Sequence, residues 1–137
     1  MFNHTTQIHL RFFDMDAFGH INNARYLTYF EEARIKYLDD VIKKKYEWSG
    51  QGVILANVEI DFKAPGHFKD KVSIVTRCSH IGNKSFNLEH RMIKTEKKEE
   101  FLLATASTVV VMFDYENNVT IPVPEEWKNA FRKYEGL

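Results

Sequence analysis

The stretch Asn23-Ala24-Arg25-Tyr26-Leu27-Thr28-Tyr29-Phe30-Glu31-Glu32-Ala33-Arg34-Ile35-Lys36-Tyr37-Leu38-Asp39-Asp40-Val41 decides the fold. Tyr26, Leu27, Phe30, Ala33, Tyr37, Leu38 and Val41 recur at threes and fours, and Glu31, Glu32, Lys36 and Asp40 take other positions. That spacing lays an apolar stripe along one helix of about five turns. The pattern fades in Lys43-Lys44-Lys45, where cations suit the negative end of the helix dipole, and stops before Ser49-Gly50-Gln51-Gly52.

Beyond that break the period changes to two, which predicts strands at roughly Val53 to Lys63, Lys71 to Ile81, Lys84 to Lys94 and Phe101 to Tyr115. Ala64-Pro65-Gly66 reads as a turn, Gly82-Asn83 as a tight hairpin and Thr95-Glu96-Lys97-Lys98-Glu99-Glu100 as a polar loop, so a three-hairpin antiparallel meander is expected. Upstream of the helix, Ile8, Leu10 and Phe12 alternate with polar neighbours over residues 6 to 13, which suits a first strand. The tail passes Pro122 and Pro124 into Glu125-Glu126-Trp127-Lys128-Asn129-Ala130-Phe131-Arg132, a short capping helix.

One strand, a long helix and four longer strands make an α+β order, in which a curled antiparallel five-stranded sheet must wrap one long central helix. A sheet of that kind keeps an edge with unpaired backbone groups. Pairing two copies edge to edge removes it, so a symmetric homodimer or a dimer of dimers is expected.

At 137 residues and 44% hydrophobic content, residues 1–137 suit a single domain with a real core. Lysine plus arginine balance aspartate plus glutamate at 19 each, which gives no net field for nucleic acid or an anionic membrane. The longest apolar runs, such as Val109 to Phe113, are far too short to span a bilayer. Cys78 is the sole cysteine and Met-Phe-Asn-His-Thr-Thr lacks the order of a signal peptide, so a cytoplasmic location is expected.

Chemistry concentrates just before the helix, in Arg11-Phe12-Phe13-Asp14-Met15-Asp16-Ala17-Phe18-Gly19-His20-Ile21-Asn22-Asn23-Ala24-Arg25-Tyr26. Asn22 and Asn23 are natural caps, and capping itself leaves backbone N–H groups at the positive end of the helix, where an oxyanion would be stabilised. Asp16, seven residues before Asn23, is the carboxylate that could attack or activate water, or simply cap its loop. The helix end lowers its basicity unless Phe12, Phe18 and Met15 bury it. Asp14 reads as a supporting group, and His20 either bonds a carbonyl, orients Asp16 or is structural.

This run and the order of elements resemble the hotdog-fold acyl-CoA thioesterases, nearest to the 4-hydroxybenzoyl-CoA thioesterase-like branch. Tyr29-Phe30-Glu31-Glu32-Ala33-Arg34, Gly82-x-x-Ser85 and Ala104-Thr105-Ala106 carry the likeness along most of the chain. The resemblance implies hydrolysis of an acyl-CoA, with Asp16 as nucleophile or general base and the Asn23 N–H polarising the thioester carbonyl. It also implies a site at a dimer interface, where coenzyme A crosses onto the partner's strands. Some members of the branch carry His at the position of Asn23, so a role for that imidazole does not transfer. The string Gly19-His20-Ile21-Asn22-Asn23 is also similar to plant acyl-ACP thioesterases, but Ala17-Phe18 stands where their Asn-x-His motif needs Asn.

Coenzyme A carries phosphates, for which Lys84, Arg91, Lys63 and Lys69 are candidates, each also readable as a solvated surface charge. Ser85 would meet the pantetheine or cap its hairpin, and Tyr26, Tyr29 and Phe30 would line the acyl pocket or belong to the core. Acyl-ACP hydrolysis and a non-catalytic acyl-CoA-binding module are the alternatives. Histidines 4, 9, 20, 67, 80 and 90 show no ligand spacing, no Gly-x-Ser-x-Gly elbow occurs, and Gly50-Gln51-Gly52 is too short for a phosphate loop, so neither a metal nor a cofactor is expected.

Overall fold

The computed structural model describes residues 1–43 and 50–137. In chain order it contains β1 (His4–Ile8), α1 (Tyr26–Ile42), β2 (Gln51–Phe62), β3 (Lys71–Ile81), β4 (Ser85–Glu96), β5 (Glu99–Asp114), β6 (Val119–Thr120) and α2 (Glu125–Glu135). Two 3-10 turns, Phe12–Asp14 and Asn23–Arg25, fill the interval before α1. The main strands form one antiparallel sheet in the order β1-β3-β4-β5-β2, and the two-residue β6 adds to β5. This is the α+β hotdog architecture, a curled five-stranded sheet around one long helix with a short C-terminal helix.

The helix forms where its apolar stripe dictates. Tyr26, Tyr29, Phe30, Ala33, Tyr37, Leu38, Val41 and Ile42 are buried, and Leu27 is exposed. It ends where Lys43 takes a left-handed φ of 58° and sends its N–H back to the Asp39 carbonyl. The Lys44-Lys45 portion of the predicted helix end, and Ser49, lie outside the described residues.

The sheet's inner face is read from alternate residues: Val72, Ile74, Thr76 and Cys78 on β3, Phe86, Leu88, His90 and Met92 on β4, and Ala104, Ala106, Thr108, Val110 and Met112 on β5. These side chains and α1 make two apolar clusters. One surrounds Tyr26, Phe30 and Ala33; the other gathers Tyr37, Phe86 and Val110 around Phe131 of α2. A polar row is also buried: His90 Nδ1 lies 3.0 Å from Thr76 Oγ1 and Nε2 3.4 Å from Thr108 Oγ1, with the Phe30 ring 5.5 Å away. Burial, aided by the charge of Arg34, pushes the His90 pKa down to about 3, so this is a neutral core histidine.

Four local expectations are corrected. The first strand is His4–Ile8, not 6–13, because the chain turns at Arg11, whose carbonyl accepts the Asp14 N–H, leaving Phe12 71% exposed. The predicted helix start at Asn23 is a 3-10 turn, and α-helical geometry begins at Tyr26. The meander holds only for β3-β4-β5, since β2 pairs with β5 and β1 takes the place beside β3. The loop at Thr95–Glu100 is absent: the strands run on through a tight turn at Lys97 and Lys98, both at positive φ, 51° and 66°.

Candidate active site

Between β1 and α1 the chain folds into a hairpin-like loop. Asn22 N–H donates to the Asp14 carbonyl at 2.8 Å, Met15 bridges Ile21, and Asp16 N–H donates to the His20 carbonyl at 2.7 Å. At the tip, Gly19 N–H closes a turn onto the Asp16 carbonyl, and Gly19 takes a φ of 76°, the left-handed region that a side chain disfavours. The loop is seated by Ile21 N–H on the Gly66 carbonyl and by a His20–His67 bridge whose rings meet edge to face at 4.9 Å. His67 in turn places its N–H on the Asp70 carboxylate.

Two carboxylates sit in this loop in opposite situations. Asp14 is 2% exposed: Oδ1 receives Arg11 Nη2 at 3.2 Å with Arg25 Nε at 3.6 Å, and Oδ2 receives Arg11 Nε at 3.2 Å and the Tyr29 hydroxyl. Burial pushes its pKa up, but the hydrogen bonds from Arg11 and Tyr29 and the charges of Arg11 and Arg25 outweigh that and hold it below the ordinary value. Both of its oxygens are therefore occupied by structure. Asp16 is half-buried, and its Oδ1 accepts the N–H of Phe18 at 2.9 Å and of His20 at 3.1 Å. Its Oδ2 has no hydrogen bond among the described residues, so the loop-capping role and an available oxygen belong to one side chain.

The helix entrance is similarly selective. Asn22 Oδ1 accepts the Ala24 N–H at 2.9 Å and the Asn22 carbonyl accepts the Arg25 N–H at 2.8 Å. The Asn23 N–H, between them in sequence, has no acceptor among the described residues, which leaves it as a donor at the positive helix end.

The other expected site residues divide. Tyr26, Tyr29 and Phe30 are 1–2% exposed within the core. Burial raises the Tyr26 phenol, and burial with the Asp14 bond raises the Tyr29 phenol to about 12, so it stays a donor. Lys84 and Ser85 lie at the β3–β4 hairpin, where the Lys84 carbonyl accepts the Met112 N–H and the Ser85 carbonyl the Gly82 N–H. That hairpin is at the opposite end of the sheet from the Asp16 loop, because β1 leads into the loop from Ile8, paired with Val72 at the start of β3. Arg91 is on the outer face of β4, its guanidinium 4.9 Å from the Phe2 ring centre. Lys63 and Lys69 are exposed at the Asp16 end, on the connection between β2 and β3.

Phe12 and Phe18 are 71% and 84% exposed, so within one protomer they do not bury Asp16. Sequence reasoning missed Arg11 and Arg25 as ligands of Asp14, whose signal was two arginines flanking one acidic run, and His67, which no local pattern joins to His20. Among the described residues no group of His, Cys, Asp and Glu could hold a metal ion, and no helix is long and apolar enough to cross a membrane.

Comparison with known proteins places this arrangement. Residues 10–131 match the family model of the thioesterase-like superfamily. The chain is similar to the long-chain acyl-CoA thioesterase FadM of Escherichia coli, 27% identical over 93% of this chain and 96% of that one. It is also similar to the acyl-CoA thioesterase YbgC of Haemophilus influenzae, 26% identical over 86% of each. A solved 4-hydroxybenzoyl-CoA thioesterase mutant in complex with 4-hydroxybenzoyl-CoA superposes with a TM-score of 0.84 at 20% identity, over 93% of this chain and 96% of that one. With its hotdog sheet and a family match from the Asp16 loop to the last helix, the chain belongs to the thioesterase-like superfamily and is a thioester hydrolase.

Proposed function

We propose that this protein hydrolyses an acyl-CoA to the free carboxylic acid and coenzyme A, with Asp16 as the catalytic carboxylate, water as the only co-substrate and no cofactor. The observation that carries the reading is the contrast within the loop: Asp14 is saturated, Asp16 keeps Oδ2 uncommitted and the Asn23 N–H is unspent. The thioester carbonyl oxygen lies on the Asn23 N–H, which stabilises the oxyanion as the tetrahedral species forms. Asp16 Oδ2 attacks the carbonyl carbon, the C–S bond breaks, coenzyme A leaves as a thiolate and water hydrolyses the resulting mixed anhydride. The half-exposed setting of Asp16, with Phe12 and Phe18 turned outward and Oδ2 uncommitted, leaves that oxygen open to a carbonyl carbon and favours direct attack.

A cytoplasmic homodimer completes the site. The 12-residue β2 is a sheet edge with Ile54 and Leu55 partly exposed, 37% and 36%, and two copies paired antiparallel there would satisfy both edges. Such pairing brings one protomer's Gly82–Ser85 hairpin to the same end of the joint sheet as its partner's Asp16, and Lys84 and Ser85 then reach the coenzyme across the interface. A thiol-release assay over a panel of acyl-CoAs tests the assignment. Asp16→Asn should lower kcat by about a hundredfold or more, and full activity in that variant would remove Asp16 from the chemistry. The same acyl chain delivered on carrier protein should turn over more slowly than on coenzyme A.

A further inference from the structure

The loop that carries Asp16 and the helix start that carries the Asn23 N–H are tied by backbone bonds, Asp16 N–H to the His20 carbonyl and Asn22 N–H to the Asp14 carbonyl, and by one side chain that reaches into the helix. Asp14 sits two residues before Asp16, and its backbone carbonyl holds the N–H of Asn22, the residue that caps the helix start. Its carboxylate reaches past that cap to Arg25, in the 3-10 turn, and to the Tyr29 hydroxyl, on the first turn of α1. Arg11, from the other side, closes the cage with a bond to each carboxylate oxygen. The turn at Asp16 would survive without this cage, because its own bonds, from Gly19, Phe18 and His20, are internal to the loop. What it would lose is the side-chain clamp on Arg25 and Tyr29, leaving only the backbone bonds to set its distance from the helix start.

We propose that Asp14 is a positioning residue for hydrolysis: with Tyr29, Arg11 and Arg25 it locks the Asp16 loop against the start of α1, and so sets the gap between the attacking carboxylate and the Asn23 N–H. This rests on the assignment of Asp16 above and extends it to residues that never touch the substrate. Small displacements at such a gap are costly, a misplacement of about 1 Å being worth up to roughly a hundredfold in rate. The ground-state grip on coenzyme A, by contrast, does not pass through Asp14, so KM should hardly change.

The test uses four variants of the full chain, Asp14→Asn, Tyr29→Phe, Asp16→Asn and the double Asp14→Asn/Asp16→Asn, with dodecanoyl-CoA and benzoyl-CoA as probes and a thermal scan of each. Asp14→Asn should lower kcat by roughly tenfold to a hundredfold with KM within about twofold, and Tyr29→Phe should lower it less, in the same sense. In the Asp16→Asn background the Asp14 substitution should change the residual rate by less than about twofold, because a residue that acts through Asp16 has nothing left to position. An Asp14→Asn enzyme with wild-type kcat overturns the proposal, and so does an equal loss with and without Asp16, which marks a merely structural role. If Asp14→Asn does not fold, Tyr29→Phe, which removes a single oxygen, is judged by the same cycle with Tyr29→Phe/Asp16→Asn as a fifth variant. Unchanged turnover in Asp16→Asn alone defeats the underlying assignment instead, and the set distinguishes the two failures.

Discussion

Lowering the pH from 7 to 5 should cost this fold about 2 kcal/mol through one side chain, His90. The ring is 1% exposed between Thr76 and Thr108, and burial first, then the charge of Arg34, holds its folded pKa at about 3 against 6.5 for an unburied imidazole. Between those values the unfolded chain carries a proton on this histidine that the native one does not, so stability falls as the pH falls through the window. The slope is about 1.4 kcal/mol per pH unit once the unfolded imidazole is protonated, which integrates to about 2 kcal/mol between pH 7 and pH 5. A total stability of about 5–15 kcal/mol makes that loss easy to measure. Asp14 and Asp40 do not blur the window. Their folded pKa values lie below 3.8, so the stability they contribute is complete above that value and is lost only at lower pH. Urea unfolding of the wild type and of His90→Gln at pH 7, 6 and 5 is the assay. The wild type should lose about 2 kcal/mol more than the variant across the range, and parallel losses in the two proteins would show that His90 is protonated, or reaches water, in the native state.

Two further outcomes follow from the loop and the edge. At Gly19, with φ 76° and nothing within 4 Å of an added Cβ, alanine meets no clash but must adopt left-handed backbone. Gly19→Ala should therefore cost about 1–2 kcal/mol and lower kcat, and Gly19→Asn should cost less, because Asn tolerates that region; equal melting temperatures for all three proteins would refute the strain. On β2, Leu55→Lys sets like charges near each other in an antiparallel pair of edges, so sedimentation should show the dimer weakened and the thiol-release rate lost with it. A monomer with full activity would sever the site from the interface.

The helix was legible because its signal is local: a period near 3.6 sustained over Tyr26–Ile42 admits few other structures, and it was found to within three residues at its start. The strands were legible for the same reason, and β3 matches its predicted bounds, Lys71–Ile81. Pairing was not. Nothing in Val53 to Lys63 says that this strand lies beside β5, because the choice depends on where the connection at 63–70 runs, and that is fixed by contacts distant in sequence: Lys63 and Ala64 N–H on the Leu103 carbonyl, and Gly66 against Ile21. The turn at Lys97-Lys98 escaped because its residues lack the Gly or Asn that advertises positive φ, while the long strands on either side impose it. For the candidate site, the resemblance of the run Asp14 to Tyr26 is what pairs Asp16 with Asn23, and the difference between Asp14 and Asp16, two acidic residues in one short run, is written in partners brought from Arg11, Arg25 and Tyr29. The difference between a spent carboxylate and an available one is thus a property of the folded loop, and that is why substitutions in the cage, rather than inspection of the motif, decide what the first of the two carboxylates is for.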